Sequence, residues 1–214
     1  MAKKDLILVG GGGHCKSCID VIEAEGTFNI AGIVDVEGKL REKVLDYEII
    51  ATDNDLESLA TQYQYFLITI GSIKDPRKRI DKFDYLKQLG VTFPVIVSPL
   101  AYVAKSACVG EGTIVMHKVL INSDACVRMN CIINTLALIE HDSTVGDHCH
   151  ISTGSIINGK CNIGNRVFVG SDSVVIDCVN IGDDAVIGAG SVVLKSLSEA
   201  GLYVGSPAIK VTDG

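Results

Sequence analysis

The chain contains no tryptophan, and aromatic residues make up only 5% of it. So little aromatic bulk suits a narrow scaffold packed with smaller aliphatic side chains. A basic block is also missing. With a net charge of −7, the chain offers no electrostatic footprint for nucleic acid. No apolar run is long enough to span a bilayer, so no membrane insertion is expected. The opening residues Met1-Ala2-Lys3-Lys4-Asp5 lead straight into a strand pattern and lack a signal-peptide layout. The expectation is a cytoplasmic protein, in which the eight cysteines are free thiols. Cys15 and Cys18 form a C-x-x-C, but no second pair at zinc-ligand spacing accompanies it. Side-chain packing on a helix is preferred over a metal or redox role for that pair.

What the chain does have is a repeat. Stepping six residues at a time from Val103 to Val193, every stop is Val or Ile, with no insertion or deletion. Neither a helix nor a flat strand produces a pure period of six. A hexad repeat marks a parallel β-helix, in which each short strand stacks on its counterpart one turn away. Four residues after each stop lies a small or β-branched side chain, such as Ala125, Cys131, Ser143, Cys149 or Ser173. One residue after the stop, Gly or Asn recurs, as in Gly110, Asn134, Gly146 and Gly164. These are read as corner residues that tolerate positive φ. Each hexad then forms one side of a triangular coil, and three hexads close a turn.

Ahead of the repeat, residues 1–97 read as a small α/β domain with a parallel sheet. Asp5–Val9 is a strand running into Gly10-Gly11-Gly12-Gly13-His14, followed by a helix from Lys16 to Glu25 and a strand Asn29–Val34 ending at Asp35. A short strand Tyr47–Ala51 and a helix Asp53–Ala60 with Asp53 as its cap follow. Next come a buried strand Tyr65–Ile70 ending in Gly71-Ser72, an amphipathic helix Pro76–Leu89 and a last strand Thr92–Val97. Ser98-Pro99 is the expected domain boundary. The glycine turn is short of a full G-x-G-x-x-G, so it is read either as a phosphate-binding turn at a helix N-terminus or as a tight strand-to-helix turn. On such sheets ligands sit at the carboxyl ends of the strands, where His14, Asp35 and Gly71 are expected to share a crevice. Beyond Val193, Ser196–Gly201 reads as a turn or short helix and Tyr203–Ala208 as an extended tail.

Within the coil, the stretch from Ile139 to His150 stands apart. It holds His141, His148 and His150, three of the five histidines. The hexad places Glu140-His141-Asp142 at a solvent-facing corner. Imidazole suits proton transfer near neutral pH, and a neighbouring carboxylate can orient the ring. A base there could take a proton from an amine or hydroxyl attacking a thioester. The alternatives are a polar corner with surface histidines, or a metal site made by the three histidines, which the hexad disfavours because it points them in different directions.

Glu140-His141-Asp142, the hexad run, Gly10-Gly11-Gly12-Gly13-His14 and Tyr203-Val204-Gly205-Ser206-Pro207-Ala208 together resemble the hexapeptide-repeat sugar acetyltransferases. That family includes nucleotide-amino-sugar N-acetyltransferases and sialic acid O-acetyltransferases. The resemblance implies an α/β nucleotide-sugar-binding domain over 1–97 and a left-handed β-helix over 98–214 in a homotrimer. Each active site would lie between subunits, and the donor would be acetyl-CoA with no metal required. It further implies that His141 is the general base and Asp142 raises its basicity. His150 and the backbone around Ser171 and Ala189 would contact the donor. Gly12, Gly13 and His14 would lie by the acceptor's phosphates or sugar. Asp35 would reach the base or ribose, and Gly71 would line the floor. Where some members carry a second acidic residue after Asp35, this chain has Val36.

The leading expectation is N-acetylation of a UDP- or GDP-linked amino sugar in bacterial glycan biosynthesis. A second keeps the chemistry and changes the acceptor to a hydroxyl of sialic acid or another sugar. A third is a β-helix scaffold without catalysis, against which the Glu140-His141-Asp142 corner speaks.

Overall fold

A computed structural model describes residues 3–73 and 75–211. The chain divides into two compact units, Met1–Val97 and Ser98–Gly214. The first is built on a five-stranded sheet. Its elements are β1 (Lys4–Val9), α1 (Gly13–Glu25), β2 (Phe28–Val34), β3 (Lys43–Val44), β4 (Tyr47–Ala51), α2 (Leu56–Gln62), β5 (Tyr65–Ile68) and α3 (Arg77–Gln88). The sheet order is β3-β4-β2-β1-β5. β1 is an interior strand that pairs in parallel with β2 and β5, and its Leu6, Ile7 and Leu8 are wholly buried. An apolar run without alternation is what a parallel strand covered on both faces requires.

Four details depart from the sequence reading. Helix α1 begins inside the glycine run, at Gly13. The first turn of α2 is preceded by a 3₁₀ turn closed by Thr52, whose N–H and hydroxyl both donate to Asp55, so Asp53 is not the cap. The edge hairpin adds β3, antiparallel to β4. The expected strand over 92–97 shrinks to Ile96–Val97, with Thr92 making a single bridge to Tyr65. Pro94 lies between them and cannot donate to a ladder.

The second unit is a left-handed parallel β-helix of two-residue strands. Each hexad stop and the residue before it form one strand, and strands 18 residues apart pair in register, as Leu120↔Leu138 and Ile121↔Ile139 do. Three parallel sheets result: one through Val103, Ile139 and Val193, a second through Val109 and Val145, a third through Val115 and Ile151. From Val115 onward the stops point inward and are buried, while Val103 and Val109 on the first rungs are only half-buried. Burying each such side chain contributes roughly 1.5–3 kcal/mol. At the other end Gly201–Val204 adds a parallel strand, and Ile209–Lys210 folds back antiparallel on it, so the tail is not simply extended.

The corner chemistry differs from the expectation. From Val109 to Ile187 the left-handed residue sits three places after the stop, not one: Lys118, Asp124, Asn130, Leu136, Asp142 and Lys160 all have φ between 52° and 63°. Glycine one place after the stop is required instead by close approach. A Cβ on Gly146 would lie 2.6 Å from the backbone of Gly164, and one on Gly170 would lie 2.5 Å from the Ala189 nitrogen. In-register stacking also corrects the expectation that every cysteine is a free thiol. Cys108 and Cys126 are cross-strand partners with Cα atoms 4.7 Å apart, and their sulfurs are joined in a disulfide.

Candidate functional site

At the carboxyl ends of β1, β2 and β5 lies a cavity of about 690 Å³. Gly10 to His14, Asp35, Val36, Lys39, Thr69 and Gly71 line it, with Ile73, Lys78 and Lys82. The glycine turn is shaped from below. Gly10 has φ +109°, and a Cβ there would meet Ile70 at 2.5 Å. A Cβ on Gly11 would meet the Asp35 carboxylate at 2.8 Å. Gly12 and Gly13 face open space, so glycine there keeps the mouth of the cavity clear. Gly12 caps α1 without a side-chain bond, and the first turn carries no acidic residue. The helix thus presents N–H donors and the positive end of its dipole to the cavity.

Asp35 organises this turn. Its Oδ2 accepts from the Gly11 N–H at 2.9 Å and from Lys39 at 3.0 Å, and its Oδ1 accepts from the Val36 N–H at 2.7 Å. Burial alone would raise its pKa. The Val36 N–H, Lys39 and the Gly11 N–H outweigh that and hold the carboxyl below the usual range. His14 packs against Gly71 and its Nε2 lies 3.4 Å from the Cys18 sulfur.

The second cluster is on the coil. His141 stands at the corner between the first and second sheets, 53% exposed, with Nδ1 2.9 Å from Asp142 Oδ2. Asp142 adopts φ 60°. Glu140 Oε2 accepts from the His141 N–H at 3.2 Å and from Asn122 at 2.8 Å, which ties the corner to the rung before it. On the rung after it, a Cβ on Gly159 would lie 2.9 Å from both Cε1 and Nε2 of His141. The imidazole therefore lies against the Gly159 backbone. An exposed imidazole with one nitrogen on a carboxylate can accept a proton at the other.

The remaining candidates are elsewhere on the coil. His150 is 7% exposed on the third sheet, edge-on to Phe168, with Nε2 3.3 Å from Asn134 Nδ2. Ser171, whose hydroxyl is 3.0 Å from that of Ser152, and Ala189 one rung further share the corner between the third and first sheets. His141, His148 and His150 sit at three different places on the coil, and no group of three ligating side chains able to hold a metal occurs among the described residues. Burial pushes the Cys149 thiol up, and it donates to the Gly164 carbonyl at 3.0 Å, as a packing cysteine does.

The comparisons agree with this construction. Residues 5–83 match the PglD N-terminal domain family and residues 160–195 the bacterial transferase hexapeptide (six repeats) family. Perosamine N-acetyltransferase from Caulobacter crescentus, solved with CoA and GDP-perosamine and with one histidine replaced by asparagine, is 33% identical. The match covers 99% of each chain with a TM-score of 0.92. The chain belongs to the hexapeptide-repeat sugar acetyltransferases. The acetyltransferase domain of PglB from Neisseria gonorrhoeae is 26% identical over 98% of this chain and 100% of that one, with a TM-score of 0.90. That domain has also been solved in complex with acetyl coenzyme A. No protein among the curated sequences matches.

Several residues of this acetyltransferase's candidate sites were not foreseen. Lys78 and Lys82 enter the cavity from α3, which sequence reading treated as a solvated face. Asn122 braces Glu140. Gly159 had a readable signal, since it lies 18 residues, one full turn, after His141.

Proposed function

We propose that this enzyme transfers the acetyl group of acetyl-CoA to the amine of a nucleotide-linked amino sugar, with His141 as the base. The observation that carries the reading is the exposed imidazole held by Asp142 at 2.9 Å on the rigid corner of the coil. His141 takes a proton from the neutral acceptor amine as the nitrogen attacks the thioester carbonyl; the C–S bond then breaks, and the proton held by His141 passes to the sulfur, so that CoA leaves as the thiol. Asp142 keeps the ring oriented. The transfer is direct; no acyl-enzyme is needed, and the buried Cys149 is not a nucleophile.

The 1–97 unit holds the nucleotide end of the acceptor. The pyrophosphate lies at the α1 N-terminus by Gly12, Gly13 and His14, with Asp35 towards the ribose or base and Gly71 as the floor. His150 and the Ser171–Ala189 corner contact the donor. Support for the acceptor class comes from the Caulobacter crescentus enzyme, which was solved with GDP-perosamine. The working form is a cytoplasmic homotrimer. The test is mass-spectrometric detection of an N-acetylated product after incubation with acetyl-CoA and GDP- or UDP-linked amino sugars. Acetylation only of sugar hydroxyls, or of no sugar at all, would refute the assignment.

A further inference from the structure

Cys15 and Cys18 form the C-x-x-C that packing alone was expected to explain. The structure separates them. Cys18 is wholly buried in α1, yet its sulfur lies 3.4 Å from Nε2 of His14, one helical turn earlier. Among the described residues, His14 is the only histidine lining the cavity at the strand ends. We propose that Cys18 is a positioning residue: its thiol donates to His14 Nε2 and fixes the ring in the tautomer that carries its proton on Nδ1. The proposal rests on the reading of that cavity as the nucleotide site.

Three observations carry it. First, position i and i+4 on a helix face the same side, so the contact is imposed by the backbone rather than by chance rotamers. Second, Cys18 is wholly buried, and a buried thiol is a weak donor that finds the nearest acceptor. Burial also pushes it well above the usual thiol range, so it stays protonated; Cys15 raises it further, and Arg79 opposes. Third, the layer around it is fixed. Arg79 is buried and its Nη1 donates to the carbonyls of Ile68 and Ile70, which set the turn carrying Gly71. His14 packs against Gly71.

The chemistry then follows. A neutral imidazole whose Nε2 accepts a hydrogen bond carries its proton on Nδ1 and is a donor there. A donor, not an acceptor, is what a phosphate oxygen beside His14 requires. With the opposite tautomer, Nδ1 would face the phosphate with a lone pair. A thiol below the ring therefore selects the state that binds the nucleotide. It does so without placing a charge under the site.

The experiment has two arms. Nitrogen-15 NMR of the full-length free protein, with His14→Ala used to assign the signal, reads the tautomer directly. The Nδ1–H form is expected in the wild type and should lose its dominance in Cys18→Ala. Calorimetry with GDP and UDP reads the consequence. Cys18→Ala should weaken binding about fivefold, the worth of one hydrogen bond. Cys18→Ser should hold within about twofold because a hydroxyl also donates. In a His14→Ala background, Cys18→Ala should cost nothing further. An Nε2–H tautomer in the wild type overturns the proposal, as does equal loss in the Ser and Ala variants or an additive double variant. If the wild type binds neither nucleotide, the cavity reading fails, and the tautomer arm alone decides the role of Cys18.

Discussion

At the scale of single residues, the coil corner depends on what is absent as much as on what is present. The His141 ring is held on one side by Asp142 and lies against Gly159 on the other. Gly159→Ala introduces a Cβ that the ring must move away from. Steady-state kinetics should show kcat lower by on the order of 10- to 100-fold, with both KM values near wild type. Unchanged kcat would mean the ring position is not critical. In the other unit, Asp35 links the glycine turn to β2. Its folded pKa lies below the ordinary carboxyl range. A depressed carboxyl stabilises the fold above its unfolded pKa and loses that contribution as pH falls through the folded value. Asp35→Asn should therefore lower Tm at neutral pH, and the gap to wild type should close as the pH falls through the depressed folded value. A gap that is the same at low and neutral pH would remove Asp35 as the organiser of the turn.

At the scale of elements, the coil was legible and its corners were not. A period of six with no slip reveals the inward ladder, because a stop displaced by one residue would face solvent. The residue that adopts the left-handed conformation could not be read in the same way. Leu136 occupies one such position at φ 63°, 54% exposed, where its identity gives no cue. A branched side chain there costs roughly 1–2 kcal/mol. Leu136→Asn should raise Tm by about 2–4 °C per kcal/mol recovered, read by scanning calorimetry. The neighbouring glycine slot behaves oppositely. Gly146→Ala drives a Cβ into Gly164 and should destabilise by about 1–3 kcal/mol. If Gly146→Ala were neutral and Leu136→Asn harmful, the two roles would be reversed. In the α/β unit, the long apolar strands and the C-terminal end of α1 at Glu25 were readable. The strand over 92–97 failed because Pro94 interrupts it, and Thr52 was missed because its bond to Asp55 is a side-chain event.

At the scale of the whole molecule, the fold class and the family follow from the repeat and the paired motifs. The shared crevice was also foreseen, since the strand ends that carry His14, Asp35 and Gly71 do line one cavity. The lysines of α3 were not, because only the fold brings Lys78 and Lys82 to the same opening. The outer face of the first sheet carries Tyr102, Leu120, Leu138, Ile156, Val174 and Val192, an apolar stripe with Tyr102 61% exposed. Such a stripe is what neighbouring coils would cover in the proposed trimer. Ile156→Glu should shift the species seen by analytical ultracentrifugation to monomer and abolish acetyl transfer, since each site is proposed to use two chains. A fully active monomer would contradict that arrangement.

The central claim is that one imidazole at the edge of the coil removes the acceptor's proton. It is tested most directly by release of CoA thiol at saturating acetyl-CoA and nucleotide-linked amino sugar, comparing wild type with His141→Ala. A fall in kcat of about 10²- to 10⁴-fold with the acceptor KM little changed is the expected result. Undiminished turnover in the variant would show that the proton leaves by another route.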